Sequence, residues 1–422
     1  MKKVLLIAYY FPPQPRAGAL RPSYLARHLP EFGWEPTVLT VEYPGDPPAN
    51  MRVIRTKHLW ASAEDRSTTN ADRSIARRRS KIELLLRDAV KGVVHFPDDK
   101  VGWLLTARRR ALELTASEKF DAVLSTLPPP SAHFVARAVV TRRKLPWIAD
   151  YRDLWAGPRG PYFEREFGEL RRTVYYAFER WLLSRADALT APSEGHARGL
   201  AEYFKRPDVE MIPNACDLSI WDGIADTPPA RFNFCYAGKL YNRLRTPDLL
   251  FAAAARLRAG GDPAGNAVSF DFYGEDPGMV AESAARYGLT DVVTIHGVVP
   301  RETALRAQRA AAVLVLILNT AGDVDSIENA NPGSKVLEYA GARRPILAMG
   351  SPENATRALM ASTGLGPYAF TEDGCVDAIR ALYAAFSSGN YAPALNPQWK
   401  PFTPRDLAQR FATVLDRVSA GR

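Results

Sequence analysis

Cysteine is scarce in this chain. Its 422 residues include three, Cys216, Cys235 and Cys375, far apart and in no CxxC pair. That argues against a disulfide framework and against a cysteine zinc site, and it fits a reducing compartment. Long apolar runs are missing as well: none reaches the ~18 residues of a transmembrane helix. The N-terminal VLLIAYYF is short, runs into Pro12-Pro13 and has no small-residue cleavage site, so it reads as a first buried strand rather than a leader. Neither a GxGxxG fingerprint nor a Walker A loop occurs, which disfavours dinucleotide binding and P-loop hydrolysis. With no RNP-like aromatic motif, zinc finger or clear helix-turn-helix, nucleic acid is not an expected partner.

What is present describes a soluble globular chain, 46% hydrophobic and 24% charged. The formal charge of +9 is unevenly spread. Residues 1–215 carry 35 Lys and Arg against 25 Asp and Glu, a net of +10, whereas residues 216–422 carry 20 against 21, a net of −1. Two domains with different partners are expected. Short apolar strands alternate with amphipathic helices throughout. The expected strands are 4–9, 37–40, 51–55, 122–125, 147–150, 188–191 and 209–212, then 232–237, 269–273, 292–296, 313–318 and 345–348. Alternation of this kind means parallel sheets covered on both faces. The fold class is therefore α/β, with two Rossmann-like doubly wound domains, a linker at DGIADTPPA (222–230) and ligands at the carboxyl ends of the strands, in the cleft between them. An amphipathic helix closes the chain at 404–418. Residues 60–95 interrupt the pattern. They turn basic at Arg77-Arg78-Arg79 and Lys81 and then apolar, as a helix lying on an anionic membrane does, or as a solvated insertion does.

Several stretches carry chemistry. In AYYFPPQPRAGALRPSYLARHL (8–29), Gly18 sits before a helix start, where backbone can approach an anion. In FCYAGKLYNRLRTPDLL (234–250), Lys239, Arg243 and Arg245 crowd a loop after a strand, a suitable cradle for a diphosphate whose charge grows as it leaves. DFYGEDPG and TIHGVVPRE (271–278 and 294–302) run strands into glycine turns that leave room for a flat base, with Val298 in the second turn. His133 opens a helix and is placed to position or deprotonate a hydroxyl. Asp150, Arg152 and Asp153 follow a strand end as candidates for an acceptor, although an Asp-Arg pair is as readily structural. Asp323-Val324-Asp325 has the spacing of a metal-diphosphate site, but with Lys and Arg neutralising the diphosphate no metal is expected. In NANPGSKVLEYAGARRPILAMG (329–350), Asn331 reads as a helix N-cap with Pro332 just inside. Lys335 and Glu338 then share a helix face, as a solvated i,i+3 ion pair or as part of a ligand site beside Gly333 and Ser334.

Taken in order, these stretches resemble the retaining nucleotide-sugar glycosyltransferases of the GT-B fold, group 1 or glycosyltransferase family 4. YYFPPQPRAG is similar to the family's opening loop. TAPSEGHARGL with VEMIPNACD is similar to its passage into the linker, and GSKVLEYAGARRPILA to its donor-binding helix. The resemblance implies an acceptor-binding domain over 1–215, a nucleotide-sugar domain over 216–403 and a C-terminal helix, 404–422, packing back toward the first. It implies Glu338 on the donor ribose, and the diphosphate or sugar at Lys335 and the amides near Gly333 and Ser334. Lys239 and Arg243 match the diphosphate-binding pair, with Arg245 as the competitor for its second position. It implies no cofactor beyond the nucleotide-sugar co-substrate. The partners implied are a saccharide or lipid-linked acceptor and an anionic membrane surface, in cytoplasmic envelope assembly. Transfer to a small secondary metabolite, or an inactive partner subunit, are the alternatives. Ala330 departs from the family's glutamate, with Glu328 as a possible substitute.

Overall fold

A computed structural model describes residues 1–60, 97–155, 169–240, 245–319, 333–397 and 399–421. The basic stretch with Arg77, Arg78, Arg79 and Lys81 lies outside these residues, as do Arg243, Asp323-Val324-Asp325, Glu328, Ala330, Asn331 and Pro332.

The chain forms two compact units, Met1–Asn214 with Pro404–Arg422, and Ala215–Thr403. The strands of unit 1 are β1 (Lys2–Ile7), β2 (Trp34–Val41), β3 (Arg52–Thr56), β4 (Ala122–Leu127), β5 (Trp147–Tyr151), β6 (Ala188–Ala191) and β7 (Val209–Met211). Their spatial order is β3-β2-β1-β4-β5-β6-β7, with every pairing parallel. Register is set by the apolar runs: Leu5 faces Thr37 on one side and Val123 on the other. Every residue of β4 is buried, as a strand sandwiched between two helical layers must be. The described helices of this unit are α1 (Leu20–His28), α2 (Val101–Ser117), α3 (Ser131–Arg143), α4 (Glu169–Leu183) and α5 (Glu194–Phe204). Ser193 caps α5 by accepting from the His196 amide.

Unit 2 repeats the plan. Its strands are β8 (Asn233–Ala237), β9 (Ser269–Tyr273), β10 (Val293–Gly297), β11 (Val313–Ile317), β12 (Ile346–Met349) and β13 (Tyr368–Ala369), in the order β10-β9-β8-β11-β12-β13, again all parallel. Its helices are α6 (Asp248–Ala259), α7 (Pro263–Ala267), α8 (Pro277–Arg286), α9 (Arg301–Ala310), α10 (Ser334–Ala340), α11 (Ala355–Thr363) and α12 (Glu372–Ser387). One core packs Phe234, Phe251, Phe270 and Ile379 on one face of the sheet; a second packs Trp221, Leu314, Val336 and Tyr339 on the other. The last helix, α13 (Pro404–Ala420), returns to unit 1, where its Asp416 meets Lys2 at 2.8 Å and Phe411 lies under the Arg21 guanidinium. The α/β doubly wound class expected from the sequence is the one observed. None of the described helices is long and apolar enough to cross a membrane.

Candidate functional site

In unit 2 the strand order reverses between β8 and β11. Chains leaving two such strands wind away in opposite directions and open a crevice at their carboxyl ends. The turn after β8, Gly238-Lys239, borders this point, and Lys335 reaches it from the first turn of α10. Its Nζ donates to the Ala237 carbonyl at 2.7 Å and lies 4.7 Å from the Tyr236 ring centre. One turn on, the Tyr339 hydroxyl accepts from the Ala237 amide at 3.1 Å. Burial pulls the Lys335 ammonium down to about 8; nearby Glu338 opposes that shift and Arg245 adds to it.

Two glycines make the approach possible. Gly238 has φ +152° and Gly274, after β9, has φ +147°. A Cβ on Gly238 would run into Lys335 Nζ, and one on Gly274 would run into the Gly238 carbonyl oxygen. Backbone hydrogen bonds stitch the turns together, Gly238 N to Tyr273 O and Gly274 N to Gly297 O, both at 2.8 Å.

The remaining expected donor residues gather around these turns unevenly. Lys239 is half-exposed and meets Glu275 at 2.7 Å. Val298, just past Gly297, is 74% exposed. Gly333 is the exposed N-cap of α10, and Ser334 is its first residue. The helix thus begins two residues later than the Asn331 cap predicted. The i,i+3 pair is not formed either: Lys335 is spent on a carbonyl, and the Glu338 carboxylate faces Arg301 at 3.6 Å. That leaves the carboxylate one-third exposed and oriented by a partner from α9. Glu275, Asp276, Arg301 and Tyr339 were not singled out from the sequence. Asp276 accepts from the Leu240 amide at 2.9 Å and so holds the Lys239 turn from below. The acidic pair directly behind the Gly274 turn was the available signal for Glu275 and Asp276. Among the described residues, no group of three or more His, Cys, Asp or Glu is placed to hold a metal.

Unit 1 corrects three expectations. His133 is fully buried on α3; its Nδ1 sits 2.8 Å from Ser125 Oγ, which also accepts from Trp147 Nε1 at 2.8 Å. Burial holds its pKa down at about 3, so it is neutral and has no solvent path to a substrate hydroxyl. Asp150 is also fully buried. It accepts from Arg21 Nε at 3.1 Å, Arg21 Nη2 at 3.0 Å, Thr126 at 2.8 Å and Thr190 at 2.7 Å. Burial alone would raise its pKa; Arg21 and the hydroxyls more than offset that and hold it low. Every lone pair worth using is taken, so Asp150 is an internal brace and not an acceptor contact. Arg152 is buried and bound to three carbonyls, those of Leu127, Pro128 and Gly18. Gly18 is small because Arg152 packs on it: a Cβ there would lie 2.8 Å from Arg152 Nη1. Asp153 alone of the trio is exposed.

Residues 18–215 match the model of a glycosyl transferase 4-like domain. This stretch, just under half of the chain, is similar to a glycosyltransferase domain. The resemblance to group 1 transferases read from the motifs is borne out by this match and by relatives in both sequence and fold. The D-inositol 3-phosphate glycosyltransferase of Nocardiopsis dassonvillei is 29% identical over 155 residues, 33% of this chain. That alignment spans 36% of the relative's length. Sucrose-phosphate synthase from Thermosynechococcus elongatus superposes with a TM-score of 0.58 at 16% identity, over 100% of this chain and 97% of that one. Anabaena HepE, solved with UDP-glucose, gives 0.55 at 12% identity, over 100% and 98%. At such identities the likeness is one of fold, and the fold is GT-B.

Proposed function

We propose that this protein is a retaining glycosyltransferase that takes a sugar from a nucleotide diphosphate and places it on an acceptor hydroxyl, with the donor held by unit 2. The observation that carries this is Lys335: a buried ammonium fixed on Ala237 O beside two glycine turns, at the point where strand order reverses. Burying an ammonium there is costly, and an arriving diphosphate is the partner that offsets the cost. Lys239 and Arg245 add charge at the same turn, and Arg243 is carried into this reading from the sequence. Glu338, held by Arg301, is the acceptor for ribose hydroxyls. The relatives named above are a transferase, a sugar-phosphate synthase and a UDP-glucose complex, all consistent with a nucleotide-sugar donor.

In the transfer itself the glycosidic C–O bond breaks and the diphosphate leaves with the bonding pair. The acceptor oxygen bonds to the same carbon from the same face, and its proton passes to the leaving phosphate. Cations aimed at that phosphate therefore act in the transition state, and no strong protein base is required. No divalent ion is needed in this reading, because Lys and Arg take its place. The acceptor belongs, in this proposal, to bacterial envelope glycan or glycolipid assembly; a small secondary metabolite is the other acceptor class. One surface favours a lipid-linked acceptor. Arg108, Arg137, Arg142, Arg143 and Arg185 line a groove on α2, α3 and the end of α4, with no carboxylate among the described residues that line it. Leu105 and Trp181, 48% and 52% exposed, flank them.

The test is nucleotide binding. UDP, GDP, ADP and dTDP are titrated into the protein and its Glu338→Ala variant by calorimetry. One nucleotide should bind the native protein, and the variant should lose roughly 1.5–3 kcal/mol of affinity while melting normally. If no nucleotide diphosphate binds, the transferase reading is wrong.

A further inference from the structure

Unit 1 holds a cavity of about 630 Å³ at the carboxyl ends of β1, β2 and β3. None of the donor machinery above lies in it. Its volume is within the range of small-molecule sites. Tyr9, Tyr10 and Tyr43 supply its aromatic wall, with Tyr9 and Tyr10 meeting edge to face at 5.0 Å. Its charge is one-sided. Among the described residues, Glu42 is the single carboxylate that lines it beside Arg16, Arg55 and Lys57, and none of the three cations pairs with an acid. Arg55 is held in place by donating from Nη1 to the carbonyls of Tyr43 at 3.2 Å and Gly45 at 2.7 Å, while its Nη2 is buried with no partner. A buried guanidinium nitrogen without an acceptor, inside a cavity, favours a ligand that brings one. Arg16 is exposed, and its guanidinium lies over the Tyr10 ring, 5.6 Å from its centre.

This combination selects a ligand class. Flat aromatic walls fit the apolar face of a sugar or cyclitol ring. Two guanidinium groups and an ammonium fit a phosphate, which offers acceptors on several oxygens and up to two negative charges. A neutral sugar would satisfy Arg55 Nη2 through a hydroxyl but leave the charge of the three cations unmatched, and a bare phosphate would leave the tyrosines uncovered. We propose that this cavity binds a phosphorylated polyhydroxy ring, with Arg16, Arg55 and Lys57 on the phosphate, and that this ligand is the acceptor. The word acceptor rests on the transferase reading; the binding does not. The same chemistry reaches the cavity from two sources, a soluble sugar phosphate or the headgroup of a phospholipid.

The experiment uses the full chain without nucleotide. Glucose 6-phosphate, glucose and inorganic phosphate are titrated at matched ionic strength, and phosphatidylinositol vesicles form a second arm. Glucose 6-phosphate should bind at least about tenfold more tightly than either glucose or phosphate. The Arg16→Gln/Lys57→Gln variant, changed only at side chains with no acidic partner, should lose about tenfold of that affinity and keep the native affinity for its nucleotide diphosphate. Protein released from the vesicles by glucose 6-phosphate assigns the lipid source; binding of glucose 6-phosphate without vesicle binding assigns the soluble one. Equal affinity for glucose and glucose 6-phosphate, no binding in either arm, or a variant that binds as the native protein does would overturn the proposal. A protein that binds glucose 6-phosphate but no nucleotide would keep this site and sink the transferase reading instead.

Discussion

Lys335 is where charge, burial and function meet most sharply. Its free pKa is pulled down to about 8, chiefly by burial, so in the folded state the ammonium is penalised. A folded pKa below the unfolded value means the unfolded chain holds the proton more tightly. Stability from this residue therefore rises as pH climbs from about 8 toward 10.5 and is lowest below that window. The Lys335→Met variant should escape the penalty but lose the bond to Ala237 O. The net expectation is a gain of about 1–2 kcal/mol at pH 7, read by denaturant melts, with nucleotide affinity sharply reduced. A variant that is destabilised and still binds nucleotide would contradict the role. Binding should also recharge the lysine. Near pH 8.5, calorimetry in buffers of different ionisation enthalpy should show most of a proton taken up with the nucleotide, falling to little near pH 6.5. Lys239 differs because it is half-exposed and already paired with Glu275. Its value lies in the charge that develops on the leaving phosphate, so Lys239→Ala should lower turnover ~10²–10³-fold while the donor dissociation constant changes far less. Loss confined to donor affinity would show that it only holds substrate. These two lysines were legible as chemistry-bearing from a basic loop and a helix start. His133 and Asp150 were legible only as polar residues near strand ends. Which way each points is decided by partners that lie elsewhere in the chain, Ser125 and Trp147 for one and Arg21 for the other.

At the scale of elements, twelve of the thirteen described strands lie on the expected runs, most clearly where both faces are buried, as in β4 and β11, and less clearly at the partly exposed β3, β7 and β10. The exception is β13, two residues long, whose pairing with β12 supplies what its sequence does not. The sequence starts the helix bearing Lys335 too early, since Asn331-Pro332 is a good local start but Gly333 takes the cap. What the pattern could not show is how elements are fastened to one another. Arg21 on α1 binds Asp150 on β5 and the carbonyls of Ile212 and Pro213 beyond β7, joining the first helix to the end of the unit's last strand. Removing one partner leaves a buried charge alone. Arg21→Met should therefore cost ~3–5 kcal/mol, read by chemical denaturation, and Arg21→Met/Asp150→Asn should recover part of that loss. If the double variant is no more stable than the single one, Asp150 is satisfied by Thr126 and Thr190 without its arginine.

At the scale of the molecule, the charge division between residues 1–215 and 216–422 gains a location. The basic stretch at Arg77–Arg79 was the membrane candidate in the sequence, and it lies outside the described residues. Another surface of unit 1 supports the same proposal independently. On it Arg137 stacks over Trp181 at 3.9 Å while donating to the Leu182 carbonyl, so an exposed indole is held in place by a cation. Burial chiefly, and the neighbouring Arg185 second, lower the Arg137 pKa, so this cation is held where its charge is disfavoured. An anionic surface over the groove would offset that penalty. A lipid surface does so, because each arginine near it gains up to ~1 kcal/mol and Trp and Leu enter the headgroup layer. Arg142→Gln/Arg185→Gln should then weaken binding to phosphatidylglycerol vesicles by about tenfold at low salt, with nucleotide affinity unchanged. Raising the salt should weaken the native protein's binding in the same direction, since the attraction is screened over ~8–10 Å. Trp181→Ala should weaken binding by a salt-independent amount, because its contribution is apolar. Native protein that stays in the supernatant with anionic vesicles at low salt would remove the membrane from this proposal and leave the acceptor to be sought among soluble molecules.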